Sequence, residues 1–178
     1  MDFIISLRNM KVKIKKFGKV PTPYKAHESD FCYDCVAVSE EEIAPNVWKY
    51  GLGIAFQNER GMETIITSTV IHGGKEKLHH TKMDFNRSPI TLDIDARPRS
   101  SVWKTGMVLS NCEGTIDEDF IGEVSAVFYH VMPNMPRYKV GDRVCQIKLG
   151  FSLPMYFEEV DELENTVRGA KGYGSSGR

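Results

Sequence analysis

Alternation of apolar and polar side chains every second residue, broken repeatedly by glycine, proline and asparagine, runs through most of this chain. It is plain in Met10 to Phe17 (MKVKIKKF), Val47 to Gln57, Ile90 to Ala96 (ITLDIDA), Glu123 to Met132 and Arg143 to Leu149 (RVCQIKL). A two-residue period puts successive side chains on opposite faces, so each run can bury one face and wet the other. Helical periodicity is almost absent. Many short strands of this kind predict an all-β barrel or jelly-roll-like sandwich.

At 178 residues the chain has the length of one domain with one core, expected over 1–178. The lysines of Lys11 to Lys16 are expected in water, and Met10 is an alternative start that would leave 1–9 as an extension. Ser39 to Ile43 (SEEEI) reads as at most one acidic helical turn before Pro45. Gly51-Leu52-Gly53 lacks the third glycine and the helix of a dinucleotide site, so it reads as a bulge or a close strand crossing. Residues 58–89 read as a β-hairpin about a Gly73-Gly74 turn, serving as an edge cover, a contact between copies or a partner surface. From Glu158 an acidic run leads into a glycine-rich arm, 161–178, that cannot pack into a core by itself.

The formal net charge is −1 with both signs interspersed, which leaves no electrostatic footprint for duplex nucleic acid or an anionic membrane. Cys32 and Cys35 form one C-x-x-C, but Cys112 and Cys145 lie in unrelated segments and His79-His80 is a doublet. Small buried thiols are therefore expected rather than zinc ligands. The apolar start, Asp2 to Leu7, is too short for a signal peptide or a spanning helix, so a cytoplasmic protein with reduced thiols is expected.

Chemistry-bearing residues gather between Ala96 and Glu123. Arg97-Pro98-Arg99-Ser100-Ser101 delivers cations and hydroxyls, the groups that hold phosphate oxygens, at the end of a strand run. Met107 to Leu109 and Thr115 to Asp117 read as the arms of a β-hairpin whose tip carries Asn111 and Gly114. Backbone groups and an Asn amide at such a tip can read the donor and acceptor edge of a base. Of Asp117, Glu118 and Asp119, one carboxylate facing inward would serve as a general base. Standing alone, the same stretch is also an ordinary acidic turn.

These motifs do not stand alone. The PRSS run at Pro98, the hairpin N-x-x-G-x-I-D-x-D-F-x-G-E from Asn111, Gly141 to Gln146 (GDRVCQ) and the tail Arg168 to Gly177 (RGAKGYGSSG) resemble motifs two to five of the trimeric dUTPases, in the family's order. Ala26 to Ala37 is similar to the first motif, and the segment between it and PRSS is longer than the family's usual spacing.

The resemblance implies a homotrimer whose sites are shared between subunits, and hydrolysis of dUTP to dUMP and pyrophosphate with Mg²⁺ held through phosphates and waters rather than by direct protein ligands. It implies Asp117 as the residue that orients and deprotonates water, and Asp34 as a carboxylate that orders the site. Arg99, Ser100, Ser101 and Gln146 would hold phosphates, joined from the glycine-rich arm by Arg168, Gly174, Ser175, Ser176 and Gly177, while the Tyr173 ring would stack over uracil. Asn111 and Gly114 would read uracil, while Phe120, where the family usually has Tyr, would pack on the deoxyribose. Tyr173 replaces the family's usual Phe, Cys32 stands where the family has a small residue, and Cys35 where it commonly has Leu.

Two other readings share these motifs. A dCTP deaminase has the fold and an R-S-S segment, but Val127 stands where those enzymes carry a glutamate. A nucleotide-binding regulator would keep the pocket and act through 58–89. A purely structural jelly-roll subunit predicts no relation among the five motifs.

Overall fold

The computed structural model describes the backbone of residues 12–58, 63–72, 75–84, 91–153 and 155–171, and side chains within 12–57, 93–150, 152–153 and 155–171. Two four-stranded antiparallel sheets hold the core between them. The first is β10 (Gly114–Ile116), β8 (Thr91–Pro98), β12 (Arg143–Ser152) and β2 (Tyr33–Val36), in that order. The second is β3 (Ser39–Ala44), β4 (Val47–Gly51), β11 (Ser125–His130) and β9 (Met107–Leu109). A two-stranded pair joins β1 (Val12–Lys16) to β5 (Ile54–Asn58), and another joins β6 (Glu63–His72) to β7 (Lys75–Asp84).

This is the expected all-β jelly-roll-like arrangement. Core residues come from both large sheets and from the crossing into β5: Tyr50, Leu52, Ile54, Phe128, Val144 and Cys145 are essentially sealed from water. Tyr50, Phe128 and Tyr138 meet edge to face with centroids 5.5–6.1 Å apart, an arrangement aromatic rings prefer. The Tyr50 hydroxyl donates to the Tyr138 carbonyl at 2.8 Å, so its polar tip is satisfied inside the core.

Three local expectations change. Ser39 to Ile43 is no helical turn: it is most of β3, laddered residue by residue onto β4 from Ser39↔Gly51 to Glu42↔Trp48. Asn46, at φ 60°, makes the tight reversal between them, and strand pairing overrides helix preference. The Met107–Asp117 region is no laddered hairpin either, because β9 pairs with β11 while β10 pairs with β8. Its loop is an arch between the sheets: each arm is three residues long, and each finds a longer partner strand in its own sheet. Of the thiols, Cys35 and Cys145 are buried as expected, whereas Cys112 is exposed and Cys32 partly so.

The Gly51-Leu52-Gly53 stretch is a close crossing where the chain leaves one sheet for the β1–β5 pair. Gly53 has φ +63° and sits against Val20 and Val38, where a Cβ would lie 2.6 and 2.9 Å from their methyl carbons. Residues 58–89 contain β6 and β7 in continuous antiparallel register, Glu63↔Asp84 through His72↔Lys75. The Gly73-Gly74 turn itself lies outside the described residues.

Candidate active site

Alternation along the first sheet aims one set of side chains at the core and the other outward. Asp34, Gln146 and Arg97 are cross-strand partners on β2, β12 and β8, so they share the outer face in one transverse row. Asp34 is 7% exposed, and arginines occupy both of its oxygens. Arg99 Nε donates to Oδ1 at 2.7 Å and its Nη2 to Oδ2 at 3.3 Å, while Arg143 Nη1 donates to Oδ2 at 2.9 Å. Arg99 also donates to Ser101 Oγ at 3.2 Å, and the Gln146 amide donates to the Pro98 carbonyl at 3.1 Å.

Two guanidiniums on one carboxylate leave a local positive excess. Pro98 ends β8, and a 3-10 helix, Ser100–Lys104, turns the chain away from the sheet. Asp34, Arg99, Ser100 and Gln146 line a cavity of about 450 Å³ with His27 and Asp30. On the other side of Arg99, a second cavity of about 360 Å³ has Ser101, Lys104, Arg137 and Arg143 in its wall. Fixed guanidinium forks and hydroxyls in such hollows suit the oxygens of an anion.

A separate cavity of about 230 Å³ lies beneath the arch, lined by Asn111, Gly114, Thr115, Asp117, Phe120 and Glu123 among others. The Asn111 amide folds over Gly114, where a Cβ would come within 2.7 Å of Nδ2. Cys112 takes φ 60° at the turn. Arg97 forms ion pairs with Glu113 in the arch and with Asp95 on its own strand, and Thr115 Oγ1 donates to Asp95 at 2.8 Å. The arch is thereby tied to β8. The Phe120 backbone N–H donates to the Asp117 carbonyl at 3.0 Å, and the Phe120 ring lies over Gly122. Glu123 Oε1 accepts the Gly53 N–H at 2.8 Å, so the cavity wall is fastened to the strand crossing.

The structure thus gathers Asp34, Arg99, Ser100, Ser101 and Gln146 in one region, and Asn111, Gly114, Asp117 and Phe120 in another. These sets line separate cavities of the one chain. Arg168 belongs to neither: it lies in an exposed, irregular tail, its Nε donating to the Lys171 carbonyl at 2.9 Å. Tyr173, Gly174, Ser175, Ser176 and Gly177 lie outside the described residues. Sequence reading passed over Arg143 as a partner of Asp34, although it stands in the GDRVCQ run, and over the Arg97–Glu113 clasp. Both are contacts across the sheet, which linear spacing does not display.

A two-sheet β-sandwich with a guanidinium cluster suited to phosphate and a separate amide-edged cavity is the class that fold and site define. A family model described as dUTPase matches residues 69–177. The deoxyuridine 5'-triphosphate nucleotidohydrolase of Corynebacterium glutamicum is 31% identical over 171 residues, spanning 94% of this chain and 95% of that protein. The namesake protein of Escherichia phage T5 is 39% identical over 84 residues, covering 45% of this chain and 55% of the phage protein. Among solved structures, a variant of the Staphylococcus bacteriophage 80alpha dUTPase with dUpNHpp superimposes with a TM-score of 0.66 at 18% identity, covering 94% of this chain and 99% of that one. The dUTPase from phage phi11 of S. aureus gives 0.57 at 14% identity, covering 88% and 99%. The chain belongs to the dUTPase family.

Proposed function

We propose that the protein is a dUTP diphosphatase, hydrolysing dUTP to dUMP and pyrophosphate, and so limiting uracil in DNA while supplying dUMP for dTMP synthesis. The observation that carries this reading is the division of labour in a chain of this family: an amide-edged cavity holding a carboxylate, and a separate arginine cluster.

In this mechanism Asp117 accepts a proton from a water whose oxygen attacks the α-phosphorus, and the bond to the bridging oxygen breaks to release pyrophosphate. Arg99, Ser100, Ser101 and Gln146 hold phosphate oxygens, with Asp34 fixing the angle of Arg99. Arg168, Tyr173, Gly174, Ser175, Ser176 and Gly177 close over the substrate from the arm and exclude bulk water. Asn111 and backbone groups about Gly114 match uracil, whereas the exocyclic amine of cytosine would meet a donor and leave it unpaired. The Phe120 ring packs against the deoxyribose.

Magnesium, which would be held through the substrate's phosphates and waters rather than by direct protein ligands, would supply charge neutralisation. Both Asp34 oxygens are engaged by arginines, so Asp34 would act on the phosphates through Arg99 and Arg143 rather than as a ligand. A structural Mg(II) ion is named for a variant of the phi11 dUTPase. Because the two residue sets line different cavities, a homotrimer in which one subunit's arch faces another's arginine cluster completes each site. We further assign 1–178 to one unit, with 58–89 as an inserted hairpin and 161–178 as the arm, working in the cytoplasm. Among the described residues no helix is long and apolar enough to cross a membrane.

Pyrophosphate release from dUTP, dCTP, dTTP and UTP, with Mg²⁺, tests this reading. Release confined to dUTP and lost in Asp117→Asn is expected. Saturable dUTP binding without release would refute it.

A further inference from the structure

Cys35 and Cys145 are direct cross-strand partners on β2 and β12, and both point into the core, with 2% and 0% of their surface exposed. Directly opposed residues of an antiparallel pair hold their Cα atoms about 4.5–5.5 Å apart, inside the range a disulfide spans. Both thiols are free, and the Cys35 Sγ donates to the Tyr33 carbonyl at 3.9 Å. The facing Cys145 thiol, then burial and the nearby Asp34 charge, push the Cys35 thiol far above the usual thiol range.

Cys35 is accordingly unreactive while the sheet is closed, because the thiolate is the reactive form, and Cys145 is sealed from reagents by burial. Access comes from the position of β2, a four-residue edge strand laddered to β12. Its other edge meets an isolated bridge between Tyr24 and Asp34. Folded proteins open locally without global unfolding, most readily where few contacts hold an element, and β2 is four residues long with a strand along one edge only. The immediate neighbours of the two thiols along the chain, Asp34 and Gln146, belong to the arginine cluster on the opposite face.

We propose that Cys35 and Cys145 form an oxidisable pair that closes a cross-strand disulfide and staples the Asp34-bearing edge strand to the Gln146-bearing strand. The oxidant is a small disulfide such as oxidised glutathione. The Cys35 thiolate attacks one of its sulfurs, giving a mixed disulfide and releasing one thiol. The Cys145 thiolate then attacks the Cys35 sulfur, expelling the second thiol. Two protons and two electrons pass from the cysteine pair to the oxidant, and one S–S bond replaces another. This holds whether or not the chain hydrolyses dUTP.

The test is incubation of the folded protein with oxidised glutathione, followed by peptide mass mapping without reduction and by thermal unfolding. A Cys35–Cys145 linked peptide is expected, with an unfolding midpoint raised by about 5 °C or more, since the bridge closes a long loop of the unfolded chain. Both effects should vanish on dithiothreitol and in Cys145→Ala, and persist in Cys32→Ser. A Cys32–Cys35 link instead, or glutathione carried on Cys112 with the buried pair still reduced, would overturn the proposal. So would a linked peptide with an unchanged or lowered midpoint.

Discussion

Asp34 shows how much one buried carboxylate can organise. It accepts from Arg99 and Arg143 through both oxygens, so two long flexible cations are presented at fixed angles. Asp34→Asn keeps the shape but removes the charge, leaving two guanidiniums partly unmatched. A loss of about 1–3 kcal/mol is expected by urea unfolding, below the full cost of breaking a buried pair because both arginines retain some solvent contact. KM for dUTP should rise more than kcat falls, since binding of the phosphates is what suffers. Gly114→Ala acts differently. The new methyl would meet the Asn111 amide, so we expect weaker dUTP binding with little loss of stability, checked by calorimetry alongside the same urea titration.

At the level of strands and loops, the β3–β4 pair is tied to the segment before β12. Arg137 stacks on Trp48 with its guanidinium carbon 3.4 Å from the ring centroid, and donates to Glu40 Oε1 at 3.1 Å. That hydrogen bond, assisted by the charges of Arg137 and Lys139, holds the Glu40 carboxyl below its ordinary pKa against a smaller opposing effect of burial. The folded value lies below the unfolded one. The pairing therefore contributes fully above the ordinary carboxyl range and is lost as pH falls through the folded value. Unfolding titrations of wild type and Glu40→Gln should differ most near neutrality and converge only at acid pH, below the ordinary carboxyl range. The β6–β7 pair is laddered to itself, so replacing 59–90 by a flexible Gly/Ser linker should leave dUTP turnover within a few-fold of the intact chain. A collapse of turnover would assign the insertion to the site.

Strands such as β8, with its strict alternation, and β11 and β12, with apolar side chains recurring along most of their length, were legible because two-residue periodicity marks a sheet's buried face. Ser39 to Ala44 was not, since its lack of alternation hides a strand defined by its partner. The arch misread as a hairpin fails for a related reason. Its two arms are contiguous in sequence, yet each is claimed by a different sheet. Motif residues were readable from their order along the chain, but the Asp34–Arg143 and Arg97–Glu113 contacts exist across strands and have no linear signature.

Across the whole molecule, the separation of the two cavities makes a quantitative demand. If each site pairs the Asp117 cavity of one subunit with the Arg99 cluster of another, two differently damaged chains can repair one another. The decisive measurement is pyrophosphate release from dUTP by wild type, by Asp117→Asn, by Arg99→Gln, and by the two variants unfolded, mixed and refolded together. Each variant alone should lose at least about 100-fold in kcat/KM, as removal of a general base or of a phosphate clamp does. The mixture should recover a substantial fraction of wild-type turnover, through sites that draw an intact Asp117 and an intact Arg99 from different chains. Wild-type protein that releases no pyrophosphate, or a co-refolded mixture no faster than its components, would contradict the account.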